Sequence, residues 1–212
     1  MPIFKLFFTT AFALLALTAQ AQSPTAKSFF IPADSVNQST FVSPGKDGEP
    51  SPVTTVIMYA KKDEGYEVLN KKTIESRMIS MSSQYVQFAN NEVMRTRIRT
   101  MNIIGLDLDK THKVPQTLLK VPAPGQKAYW STTEPGGDVF KCSAEMASVI
   151  INGKTIPAIK VIKQGYKDGG KTFVSWANTT EYYVQGTGLY KIKYKDGKTM
   201  EILNAQTLES FN

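Results

Sequence analysis

The chain has 212 residues, a formal net charge of +7, one cysteine and one histidine. A lone Cys142 excludes an internal disulfide, and Cys142 with His112 alone cannot supply a four-ligand zinc set. The positive charge is mostly lysine scattered along the chain, which favours solubility over nucleic-acid binding; no nucleic-acid partner is expected.

Residues 1–21 read as a cleaved signal peptide. Lys5 provides the positive start, Leu6 to Leu17 the apolar run, and Ala19-Gln20-Ala21 the small-x-small cleavage pattern. The run is shorter than the roughly 20 residues a membrane span requires, so no transmembrane segment is expected after cleavage. No cysteine follows it for a lipid anchor. The mature protein is therefore expected in the periplasm or outside the cell.

Residues 22–52 carry five prolines (Pro24, Pro32, Pro44, Pro50, Pro52) and read as an extended proline-rich arm, with Phe29-Phe30-Ile31 as an anchor. Asp34-Ser35-Val36 fits a short O-glycan acceptor pattern at Ser35. From Val53 to the end, 53–212, runs rich in Val, Ile, Thr, Tyr and Phe alternate with turn residues. The strands read as Val53–Ala60, Tyr85–Ala89, Glu92–Ile104, Thr117–Val121, Val139–Ile151, Thr155–Gln164, Lys171–Ala177, Glu181–Gln185, Leu189–Lys195 and Thr199–Leu203. Asn152-Gly153 and Asp196-Gly197 mark tight hairpins. Further turns are expected at Asn70-Lys71 and Ser82-Ser83, a helix only at Ile74–Ser83, and irregular chain over most of 105–137. The fold class is mainly β: a curved antiparallel sheet or half-barrel, with a β-sandwich as the alternative and few helices.

All four arginines fall between Arg77 and Arg99. In an unbroken strand Arg95, Arg97 and Arg99 share one face, about 6.6 Å apart. Such a row suits an anionic head group, because guanidinium forks match oxyanions. It equally suits acidic neighbours, for which Asp63, Glu64, Glu67 and Glu92 are available. Tyr190, Ile192 and Tyr194 would point to one side of the penultimate strand, as an aromatic wall for an apolar ligand or as plain core.

Catalytic groups are sparse. His112 lies among lysines and no serine sits in a nucleophile elbow. Cys142 alternates with Phe140 and Ala144 and reads as buried. Asp107-Leu108-Asp109 lacks the glycine and terminal glutamate of an EF-hand, so no metal and no cofactor is expected. Glu134, Glu145 and Glu181 are the carboxylates from which a two-acid hydrolase would be built, provided two of them converge within about 10 Å.

Pro122-Ala123-Pro124-Gly125 followed by Trp130, and the run EYYVQGTGLYK from Glu181 to Lys191, resemble motifs of the TapB-type bacterial envelope proteins of unknown function. Ala144-Glu145 and the run VIINGKT sit where that group carries a central hairpin, and the likeness spans about 115–203. It implies a curved sheet similar to the half-barrel of lipoprotein carriers, in which Gly125, Trp130, Gly186, Gly188 and Leu189 are structural, and it implies no catalytic residue. The expectation is a non-enzymatic exported protein that binds a lipid or other amphiphile on its concave face. An interaction module with an envelope protein partner is the alternative, and a carboxylate hydrolase the third.

Overall fold

Two-residue alternation continues through most of the chain and folds as one antiparallel sheet. The computed structural model describes residues 25–33, 38–44, 50–89, 91–102, 107–134 and 137–206. The leader at 1–21 and the Asp34-Ser35-Val36 pattern lie outside them.

A short helix, α1 (Ala26–Phe30), precedes β1 (Gln38–Pro44), β2 (Pro50–Lys62), β3 (Gly65–Ile74), β4 (Arg77–Ala89), β5 (Glu92–Asn102) and β6 (Asp107–Lys120). Then come β7 (Lys127–Thr133), β8 (Val139–Ile151), β9 (Lys154–Lys167), β10 (Thr172–Val184), β11 (Gly188–Tyr194) and β12 (Thr199–Gln206). The order across the sheet is β6-β5-β4-β3-β2-β1-β12-β11-β10-β9-β8-β7. The chain thus enters mid-sheet, meanders out to one end, crosses over and meanders back from the other. β1 pairs with both β2 and β12, tying the two halves together. The sheet curls into a nearly closed barrel. It is a single sheet, so the sandwich alternative falls.

β6 and β7 form the seam, and side chains bridge it. The Thr133 N–H donates to Gln116 Oε1 at 3.1 Å, and Arg95 Nη2 donates to the Thr133 carbonyl at 3.2 Å.

Several local expectations are corrected. The arm supplies a helix and a central strand, because Gln38–Val42 is proline-free and Pro44 and Pro50 face each other at the strand ends. The helix expected at Ile74–Ser83 is the β3–β4 hairpin. Glu75 and Ser76 both take positive φ (46° and 67°), the two-residue turn that matches strand twist. Asn70-Lys71 and Ser82-Ser83 lie within strands. The stretch 105–137 holds β6 and β7, and Pro115 is tolerated because it sits in a bulge of an end strand. The strands expected at Lys171–Ala177 and Glu181–Gln185 are one strand, β10, with a register shift between Val174 and Thr179. There the Asn178 side-chain oxygen accepts from the Gly165 N–H at 3.2 Å, replacing a ladder bond.

The core lies inside the curl. Phe29, Phe41, Leu119, Val86, Val93, Ile159 and Val161 are fully buried. Helix α1 is capped by Thr25 and contacts β5 and β6 on one side and β10 and β11 on the other. Burying Phe29 contributes about 1.5–3 kcal/mol to holding it there. The turn before β11 receives it: the Gly186 N–H donates to the Ser28 carbonyl at 2.7 Å, and the Ala33 N–H to the Gly186 carbonyl at 2.9 Å.

Candidate functional site

Two β-bulges decide which side chains reach the interior. On β5, Arg95 pairs with Val86 and Arg97 with Tyr85, so Thr96 is the extra residue. One inserted residue reverses the facing of everything after it. Arg95 therefore points inward and is 1% exposed, while Arg97 and Arg99 point out. The row of three arginines on one face does not form, and Arg97 and Arg99 cannot grip a head group inside the sheet.

Arg97 instead makes a two-pronged pair with Asp109 and lies over the Tyr85 ring, 5.5 Å from its centroid. The Arg97 hydrogen bond holds the Asp109 carboxyl below its ordinary range. Arg95 pairs with Glu134 and Arg97 with Asp109. Of the expected four, Glu92 pairs with Lys120 and Glu67 with Lys62.

The second bulge is Tyr190. Tyr182 pairs with Lys191 and Tyr183 with Leu189 across β10 and β11. Tyr190 is thereby separated from Ile192 and Tyr194, and it bonds Glu201, which raises its hydroxyl to about 12. Tyr194 stays half-buried against the core, and Leu189 turns inward to join it.

Beneath α1 lies an interior cavity of about 220 Å³. Its apolar wall is Phe30, Ile57, Val68, Leu118 and Leu189, and Tyr59, Asn70, Gln84, Arg95, Glu134, Lys163, Glu181 and Tyr183 supply its polar groups. The charges are paired one to one. Arg95 Nη1 meets Glu134 Oε2 at 3.0 Å, and Lys163 Nζ meets Glu181 Oε2 at 2.7 Å. Tyr183 donates to the same Glu181 oxygen at 2.7 Å, and its ring stacks on Phe30 at 5.9 Å.

Burial alone would depress the Lys163 ammonium, but the Glu181 charge and hydrogen bond outweigh it and the net shift is upward. Burial raises the hydroxyls of Tyr59 and Tyr183. The site thus presents a neutral set of two cations and two carboxylates beside a greasy wall.

Of the three candidate carboxylates, Glu134 and Glu181 share this cavity, whereas Glu145 sits among Lys127 and Lys160 elsewhere. Cys142 is buried, and burial lifts its thiol to about 12. His112 is half-buried; burial first, then the charges of Arg95 and Lys110, depress its imidazole, against an upward pull from Glu134. Among the described residues no group of three His, Cys, Asp or Glu could hold a metal.

Trp130 is buried in the core. Gly125 and Gly186 take positive φ (72° and 75°) in turns with open space around them. Gly188 is different: at φ 79° a Cβ would stand 2.9 Å from the Phe30 carbonyl oxygen.

Sequence reasoning missed Lys163 and Tyr59, and took Phe30 only as an anchor for the arm. Lys163 was one of many lysines, and only the β9–β10 register places it opposite the Glu181 neighbourhood.

No protein-family model matches the chain, and no curated protein does. A solved structure from Bacteroides fragilis, described as "a putative exported protein with YmcC-like fold", aligns over 84% of this chain and 99% of its own. The identity is 10% and the TM-score 0.43. That likeness is too distant to carry a fold or a function across. Among the described residues no helix is long and apolar enough to cross a membrane.

Proposed function

We propose that this is an exported, non-enzymatic envelope protein that binds a small amphiphilic molecule inside its curled sheet. Export rests on the leader pattern at 1–21. Binding rests on one observation, the cavity under α1 that joins an apolar wall to fixed polar groups, the combination that typifies small-molecule sites. Its volume lies below the roughly 300–1,000 Å³ of drug-sized pockets, so the ligand is small or single-chained. The non-enzymatic reading is supported by the engagement of both cavity carboxylates with cations.

Native mass spectrometry of the protein purified from its own compartment, followed by organic extraction, tests this. A stoichiometric small adduct lost on Leu118→Trp supports it. Bare mass, with no uptake of added amphiphile, rejects it.

An interaction module is the second reading. The β6 bulge exposes Val114, the end strand β7 exposes Tyr129, and the β8–β9 hairpin carries Ile150 at 74% exposure. Stoichiometric capture of one envelope protein by the unliganded chain, lost on Tyr129→Lys, would favour it.

A further inference from the structure

Apolar surface gathers on one side of the curl. Among the described residues, the exposed large apolar side chains lie on β7–β10, with only Met78 and Val114 elsewhere. Three of them share the outer face, since their chain neighbours Trp130, Val161 and Val174 are buried inside. These are Tyr129 on β7, Ile162 on β9 and Phe173 on β10, which are 69%, 37% and 49% exposed. The register sets Tyr129 opposite Ser143, Ser143 opposite Ile162, and Thr180 opposite both Ile162 and Lys193, so one row runs across the face.

Lysines stand among these side chains. Lys127 and Lys160 are neutralised by the Glu145 between them, at 3.1 and 2.8 Å. Lys141 and Lys193 are exposed and have no carboxylate partner among the described residues. Each lies over a tyrosine ring instead, Lys141 4.3 Å from the Tyr166 centroid and Lys193 5.7 Å from that of Tyr182. Phe173 packs edge-on against the same Tyr166.

That mixture selects a partner. An anionic polymer would satisfy the lysines and leave Tyr129, Ile162 and Phe173 in water. An apolar protein patch would cover the rings and bury Lys141 and Lys193 unpaired, which is costly. A bilayer with anionic head groups accepts both, because lysines meet phosphates while aromatic rings sit at the head-group level. The hydrocarbon stems of the lysines let their charges reach that level from a curved sheet. We propose that the outer face of β7–β11 seats the protein on an anionic lipid surface, with Lys141 and Lys193 at the phosphates and Tyr129, Ile162 and Phe173 in the interface. The cavity plays no part in this contact.

Vesicle co-sedimentation of the full mature chain tests it, using phosphatidylcholine alone or with about one-third phosphatidylglycerol. The protein pellets with the anionic vesicles only, and raising salt from about 0.05 M to about 0.5 M releases most of it. A lysine at an anionic surface is worth about fivefold in affinity, so Lys141→Gln with Lys193→Gln weakens binding roughly twentyfold. Lys71→Gln with Lys72→Gln removes the same charge from β3, about half-way round the sheet, and changes binding by less than about twofold. Tyr129→Ser with Phe173→Ser weakens it at least about fivefold. The residues altered on β7–β11 are exposed, where substitutions leave folding intact. Equal binding to both kinds of vesicle, or to neither, overturns the proposal. Equal losses in the two lysine variants reduce the attraction to net charge and overturn it as well. Undiminished binding without Tyr129 and Phe173 makes the partner a polyanion and not a bilayer. Each of these contrary results leaves the cavity reading standing.

Discussion

Arg95 and Thr133 lie on opposite sides of the seam, and the Arg95 guanidinium donates to the Thr133 carbonyl at 3.2 Å while the next residue, Glu134, neutralises it. One side chain from β5 therefore reaches across the end strand β6 to close the sheet, and the same side chain forms part of the cavity wall. Arg95 thus helps to close the seam, together with the Thr133–Gln116 bond, and also lines the cavity.

The two halves of this pair are unequal. Arg95 is 2% exposed in its side chain and Glu134 36%. Removing Arg95 leaves a carboxylate that water can reach, whereas removing Glu134 strands a buried guanidinium. Glu134→Ala is expected to cost about 3 kcal/mol, and Arg95→Met less, about 2 kcal/mol from lost charged hydrogen bonds. Urea unfolding of the two variants checks the order; a larger loss for Arg95→Met would contradict it.

Lys163, Tyr59, Tyr183 and Cys142 all hold their protons more tightly folded than their ordinary values of 10.5, 10.0, 10.0 and 9.0. Stability from these groups is complete below those values and is lost as pH rises through the folded ones. The urea midpoint should therefore hold steady from pH 7 to about 9 and fall steeply above it. Tyr183→Phe should cost about 2 kcal/mol at pH 7 by removing the hydroxyl bond to the charged Glu181, and should soften the alkaline fall. A midpoint flat to pH 11 would contradict the interior placement of these groups.

Two glycines of the same turn should respond differently. Gly186→Ala and Gly188→Ala each meet left-handed strain of about 1–2 kcal/mol, since φ is 75° and 79°. Only at Gly188 does the new methyl also meet the Phe30 carbonyl. Gly188→Ala is thus expected to lower the melting temperature more and to speed proteolysis within 25–33. Equal effects would mean that α1 is not seated on this turn.

Phe29 reports on the same helix from below. It is fully buried, and Phe29→Ala is expected to cost about 3–5 kcal/mol. A loss below about 1 kcal/mol would place α1 outside the cooperative core; thermal unfolding decides.

Period-two patterning made most strands from Val139 to Leu203 legible, because the turns there carry Asn-Gly, Asp-Gly or Gly-Thr-Gly, whereas β10 read as two strands because its register shifts between Val174 and Thr179. The β3–β4 turn escaped because Glu75-Ser76 carries no glycine, and its left-handed backbone is imposed by the pairing on either side. The candidate site was half legible. Arg95, Glu134 and Glu181 stand out as charges in β-rich sequence, but alternation alone puts Arg95, Arg97 and Arg99 on one face, and only the bulge at Thr96 separates Arg95 from the other two. Lys163 became visible only when β9 and β10 were brought into register. The proline-rich segment misled because prolines at strand ends have the same composition as prolines in an arm.

The account turns on the cavity under α1 taking up a ligand, and the backbone amides of the strands that line it can be followed by ¹⁵N NMR during titration with a single-chain amphiphile such as methyl octanoate. Saturable shifts at one equivalent confined to those strands, absent in Leu118→Trp, are the predicted result. Shifts confined to the outer surface, or an amphiphile that never binds, would contradict it.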